Sequence, residues 1–206
     1  MSEEPVKRRR GAQTREAIVD AAAQAIAARG VRNVRVEDVA RAAGVSNALL
    51  YYYFDDRAAL VRAALERANA QAPSMRGDAD AGGAAGGGTA RERLVAGLLA
   101  ELDEAPAVRD NAVVWNEVSA SAVFDPALRE ALVRVTGEWN AKVRGEIDAG
   151  RADGSIARAV DPRMAAEQLT TLIEGLSLRS LAGTLTRDRA RELLRAALDR
   201  ELPTGS

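Results

Sequence analysis

Val36-Glu-Asp-Val-Ala-Arg-Ala-Ala-Gly-Val-Ser-Asn-Ala-Leu-Leu-Tyr-Tyr-Tyr-Phe54 is the most informative stretch of this 206-residue chain. It reads as a short helix over Val36 to Ala43, a turn centred on Gly44, and a second short helix from Ser46, a good N-cap, to about Phe54. Val39, Ala40, Val45, Leu50 and Phe54 form an apolar set that holds the two helices at a fixed angle. Ala40 lets the backbones approach, and Gly44 permits a positive φ in the turn. Helices this short are not stable by themselves. They need a platform, and the flanking segments supply one. Gln13 to Arg29 is a predicted helix with Ile18, Ala22, Ala25 and Ile26 on one face. A further helix, capped by Asp55 or Asp56, carries Leu60, Ala64 and Ala68 and ends near Pro73.

The second helix of the motif has an unusual outer face. Its exposed positions include Ser46, Asn47, Ala48, Tyr51 and Tyr52, which are small or hydrogen-bonding groups rather than a Glu/Lys face. A helix entering a major groove needs small residues for close approach and amide or hydroxyl groups for base edges and phosphates. Charge points the same way. From Lys7 to Phe54 there are nine Lys/Arg and four Asp/Glu, a net of +5, whereas the whole chain is at −1 and the part after Phe54 at −4. A basic head on an acidic body suits a polyanion partner.

The remainder is read as helical. Residues 1–12 are expected to be a disordered basic arm and residues 74–90 a flexible Gly/Ala-rich loop. Helices are predicted over Arg91 to Glu104, Ala107 to Phe124, Asp125 to Ala149, residues 161–183 and Arg187 to Glu201. The third of these carries an apolar stripe of Leu128, Leu132, Val135, Trp139, Val143 and Ile147, and Gly150 and Gly154 break it. The composition fits, with 47% apolar and 3% aromatic residues. With no Cys and no His, the chain lacks disulfides, thiol nucleophiles, imidazole bases and nearly every zinc site, although carboxylate-bound magnesium stays compatible. No nucleophile–base pair and no nucleotide-binding glycine fingerprint is present, so no enzyme and no cofactor is expected. No apolar run reaches membrane-spanning length.

Residues 11–60 resemble the N-terminal domain of the TetR/AcrR family of regulators. The resemblance rests on Ile18, Ala21-Ala22, Gly30, Val39-Ala40, Ala43-Gly44-Val45-Ser46, Leu50-Tyr51, Tyr53-Phe54, Arg57 and Leu60. Ala-x-x-Ala-Gly-Val-Ser, here Ala40 to Ser46, is common to many helix-turn-helix families, but Leu-Tyr-x-Tyr-Phe-x-x-Arg-x-x-Leu is distinctive. The body after residue 107, with its Asp125-Pro126 start, resembles the BetI type. The resemblance implies an all-α fold of about nine helices, with a three-helix head over 13–56 and a ligand-binding and dimerisation body over 57–206. It implies a dimeric cytoplasmic regulator on the nucleoid, binding double-stranded operator DNA and responding to an unidentified small-molecule effector. Repression is the family's usual mode. An activator of the same family, or an adaptor whose head binds a protein, is the alternative.

Carried over by position, the resemblance places Asn47, Ala48 and Leu49 at the base-facing start of the recognition helix. Tyr51 falls at a phosphate- or base-contacting position, with Tyr52 beside it. Tyr53 and Arg57 match phosphate contacts, Arg35 and Glu37 begin the preceding helix, and Lys7, Arg8, Arg9 and Arg10 match a basic arm. Three positions depart from the family pattern: Arg35 replaces a capping Ser/Thr, Asn47-Ala48 replaces Lys-Gly, and Tyr52 replaces His. In the body, Trp115, Asn116, Glu117, Phe124, Trp139 and Gln168 are the candidate pocket residues, core packing being the simpler reading of the aromatics. The resemblance puts the dimer contact on the last two helices, with Leu169, Leu172, Leu176, Leu194 and Leu198 as its candidates.

Overall fold

The computed structural model describes residues 3–76 and 88–205. Among these it contains ten α-helices, one 3-10 turn and no strand. The helices are α1 (Glu3–Arg29), α2 (Val36–Ala42), α3 (Asn47–Tyr53), α4 (Arg57–Gln71), α5 (Pro73–Arg76), α6 (Ala90–Ala100), α7 (Pro106–Ala122), α8 (Pro126–Asp153), α9 (Pro162–Leu181) and α10 (Arg187–Glu201), with the 3-10 turn at Val31–Asn33. Among the described residues no helix is long and apolar enough to cross a membrane.

Three boundaries depart from the expected ones. Residues 3–12, expected as a disordered arm, continue α1; Pro5 falls in the first turn, where a missing N–H leaves no helical bond unmade. The expected loop over 74–90 begins as α5, and its central part, 77–87, lies outside the described residues. α8 runs through Gly150 to Asp153. Gly150 is a packing position rather than a break, because a Cβ there would lie 2.5 Å from Ile156 Cδ1.

The chain divides into two compact units that do not follow the expected boundary at residue 56. One comprises Met1–Ala68 with Val113–Leu132, the other Asn69–Ala112 with Val133–Ser206. In the first, α1 packs on α2 and α2 on α3. Ile18, Ala22, Ile26, Val39, Ala40, Leu50, Phe54, Leu60 and Leu65 are buried, together with Val114, Val118 and Leu128 from later in the chain. The two short helices are therefore stabilised by apolar burial, as their length requires. In the second, α10 packs on α9 and α6, and α5 on α6. Val135, Trp139, Val143 and Ile147 of α8 are buried, as are Leu169, Ile173 and Leu176 of α9 and Leu194 and Leu198 of α10. Helix ends are capped locally. Thr89 and Glu92 form a capping box at α6, and Asp161 accepts hydrogen bonds from the amides of Arg163 and Met164 at α9.

Candidate nucleic-acid interface and regulatory surfaces

Local hydrogen bonding sets the angle between α2 and α3. The Val45 amide donates to the Ala40 carbonyl at 2.9 Å and the Gly44 amide to the Arg41 carbonyl at 3.2 Å. This paired closure requires a left-handed residue, supplied by Gly44 at φ 67°. Ser46 Oγ then accepts the Leu49 amide at 3.1 Å and starts α3. Leu50 is 1% exposed and Phe54 is buried, so one side of α3 is committed to the core. Asn47, Ala48 and Leu49 face outward, with Tyr51 50% and Tyr52 80% exposed. Tyr53 is half-buried and meets Tyr52 edge-on, ring centroids 5.3 Å apart. Its hydroxyl lies 3.4 Å from where a Cβ on Gly11 would stand, which puts it beside α1.

The basic groups expected to surround α3 have different fates. Arg9, Arg10 and Arg35 are exposed, as is Glu37. Arg35 stands at the N-cap of α2 and makes no side-chain cap. The side chains of Lys7 and Arg8 lie outside the described residues. Arg57, expected as a phosphate contact, is half-buried. Its Nε donates to the Val34 carbonyl at 3.0 Å, and Nη2 donates to the Val31 carbonyl. The guanidinium ties α4 to the turn before α2, and those donors are already used.

Glu117, expected in a ligand pocket, meets that same turn. Its Oε2 accepts the Val31 amide at 2.8 Å. Gly30, at φ 77°, has no Cβ to block this approach; one would stand 2.7 Å from the carboxylate. Glu117, Arg29, Arg32, Arg57, Asp125 and Phe124 line an open groove of about 670 Å³ within this unit. Phe124 is 81% exposed there. The other pocket candidates are placed elsewhere. Trp139 is buried and its Nε1 donates to Ser74 Oγ at 2.9 Å. Trp115 and Asn116 are half-buried on α7, and Gln168 is exposed on α9. Of the six, Glu117 and Phe124 line the groove beside Val31 and Gln168 lines a groove on α9. Among the described residues no group of carboxylates is placed to hold a metal ion.

The expected dimer residues require a correction. Leu169, Leu176, Leu194 and Leu198 are buried within the chain itself, and Leu172 alone of the five is part-exposed. The open face lies one step further round the helices. Met164, Gln168, Thr171, Leu172 and Gly175 of α9 and Leu193 of α10 line a shallow groove of about 750 Å³, and Leu178 is exposed on α9. Positions 164, 168, 171, 175 and 178 hold Met, Gln, Thr, Gly and Leu, a mixed line that periodicity does not mark as apolar. Leu169, Leu172 and Leu176 span an arc wide enough that periodicity does not say which of them meets the chain's own core.

The chain matches the bacterial regulatory proteins of the tetR family over residues 18–64 and the C-terminal domain of BetI-type transcriptional repressors over residues 90–203. It is similar to the crystal structure of a TetR-family transcriptional regulator from Rhodococcus sp., with 42% identity, 93% of this chain and 99% of that one covered, and a TM-score of 0.83. A transcriptional regulator from Saccharomonospora viridis, solved in complex with choline, is 29% identical over 93% of this chain and 98% of its own, at a TM-score of 0.75. The fold recurs in the FadR regulator of Bacillus subtilis, solved with stearoyl-CoA, at 20% identity over 91% and 97% of the two chains and a TM-score of 0.71. No curated protein sequence matches the chain. The helix-turn-helix built on Gly44 and Ser46 and the match over the greater part of the body together make the chain a member of the TetR family of transcriptional regulators, with an N-terminal DNA-binding domain and a BetI-type C-terminal region.

Proposed function

We propose that the chain acts as a homodimeric repressor on the nucleoid. Its two heads would occupy the half-sites of a pseudo-palindromic operator, and a small molecule taken up by the body would release them. The observation that carries this reading is α3: a recognition-type helix anchored by Leu50 and Phe54, with Asn47, Ala48, Leu49, Tyr51 and Tyr52 left in solvent. A second copy is the occupant that best suits the open face of α9 and α10, since Met164, Leu172, Leu178 and Leu193 are apolar and at least part-exposed and a self-complementary patch closes as a twofold dimer. The choline bound by the Saccharomonospora relative supports a small-molecule effector. Release requires only that the effector bind the two states differently, with about 1–3 kcal/mol of coupling. No catalytic step enters this reading.

The test combines sedimentation with DNA titration. A dimer that retards an inverted-repeat duplex, with affinity falling steeply with salt, and that releases it on adding one compound from an effector screen, supports the reading. A stable monomer, or a dimer with no preference among duplexes, overturns it.

A further inference from the structure

α3 offers a DNA groove a particular chemistry. Between Arg41 and Arg57 the chain has no Lys or Arg, and its only charged residues there are Asp55 and Asp56. Ser46 is engaged as the cap through its Oγ. What remains outward is the carboxamide of Asn47, the apolar side chains of Ala48 and Leu49, and the phenols of Tyr51 and Tyr52. Arg35 and Arg41 belong to the preceding helix, which in this motif crosses the phosphate backbone, and Arg57 donates to carbonyls of its own chain.

The four base pairs are not equal before such a surface. Guanine presents two acceptors, N7 and O6, and its usual partner is an Arg or Lys. Adenine presents an acceptor and a donor, N7 and N6, which a carboxamide matches with both of its ends. Thymine adds a methyl group that pairs with apolar side chains. A carboxamide set against guanine makes one bond and leaves its own oxygen facing an acceptor.

Resting on the reading of the head as an operator reader, we propose that α3 specifies A·T pairs. Asn47 binds adenine N7 and N6 in each half-site, the methyl of a neighbouring thymine packs on Ala48 or Leu49, and no guanine is read by this helix. The operator half-site is therefore A·T-defined where α3 lies, and any G·C preference arises outside it.

Selection of bound duplexes from a random library, run in parallel with the wild-type chain and Asn47→Ala, tests this. The selected duplex is then titrated with 7-deazaadenine or uracil at the contacted positions. Asn47 is exposed, so the variant should melt with the wild type, and equal melting is checked first. The expected result is an inverted repeat with an invariant A·T pair in each half. Asn47→Ala makes the chain indifferent at that pair, and either that change or 7-deazaadenine weakens binding by about 5- to 150-fold. Uracil for thymine weakens it by about fourfold, the effect of one buried methyl. A repeat in which the pair relaxed by Asn47→Ala is G·C overturns the proposal, and so does a repeat that Asn47→Ala leaves unchanged; in both cases the operator reading stands. Enrichment of no repeat at all overturns the operator reading and this proposal with it.

Discussion

Glu117 and Arg57 grip one turn from two helices, the carboxylate holding the Val31 amide and the guanidinium holding the Val31 and Val34 carbonyls. The amide at the start of a 3-10 turn has no partner within the turn, so its satisfaction must come from outside. Glu117→Ala leaves that donor part-buried and unpaired, which should cost about 1–3 kcal/mol in urea denaturation. Glu117→Gln keeps a carbonyl acceptor there and should cost less. Gly30→Ala forces a side chain into a positive-φ, extended-ψ conformation that glycine alone adopts readily, at about 1–3 kcal/mol, and drives its Cβ against the carboxylate. In the Glu117→Ala background only the conformational part survives, so the two changes should be less than additive by about 0.5 kcal/mol or more. Strict additivity would show that the carboxylate and Gly30 do not meet in solution. None of this was legible in the sequence. Glu117 lies 86 residues from Val31, and no local spacing relates them.

Helices carry the next level of decision. On α9 the stripe Ala165, Leu169, Ile173 and Leu176 is buried within the chain, while Met164, Leu172 and Leu178 stay at least part-exposed. The paired change Leu172→Glu with Leu178→Glu should therefore leave the chain folded and yield monomers by sedimentation, whereas Leu176→Glu should unfold the chain by burying an unpaired charge. A dimer that survives the first pair would place its interface elsewhere. At α6 the first turn depends on a residue far along the chain. Asp153 Oδ2 accepts the Ala90 amide at 2.9 Å. The Ser155 side chain, then the Ala90 and Ser155 amides, hold the Asp153 carboxyl below its ordinary value. Since the folded-state value is the lower one, the carboxylate stabilises the fold above the unfolded-state pKa of about 3.9, and the contribution is lost as pH falls through the folded-state value. Asp153→Asn should lower the melting temperature at neutral pH, and the gap between variant and wild type should close towards pH 3. A gap that persists unchanged in acid would remove the carboxylate from this account.

For the whole molecule, charge and packing divide the work. The stretch from Lys7 to Phe54 carries a net +5 against −4 after Phe54, so binding to a polyanion should be concentrated in the head and steeply salt-dependent. Arg9 and Arg10 are exposed on α1. Replacing both with Ala should reduce the slope of log affinity against log salt by up to about 0.9 for each phosphate that is no longer neutralised, with no change in which sequence is preferred. An unaltered slope would leave them as solvated surface charges. The all-helical class, the position of the helix-turn-helix, its cap at Ser46 and the outward placing of Asn47, Ala48, Tyr51 and Tyr52 were determined by the sequence itself, because capping, turn conformation and helical periodicity act over three to five residues. Only the tertiary structure decided that Arg57 and Glu117 close on the turn at Val31 and that Leu169, Leu176, Leu194 and Leu198 belong to the chain's own core. Each of these depends on which distant segment arrives to bury a group or satisfy its hydrogen bonds, and that information is not contained in any local stretch of the chain.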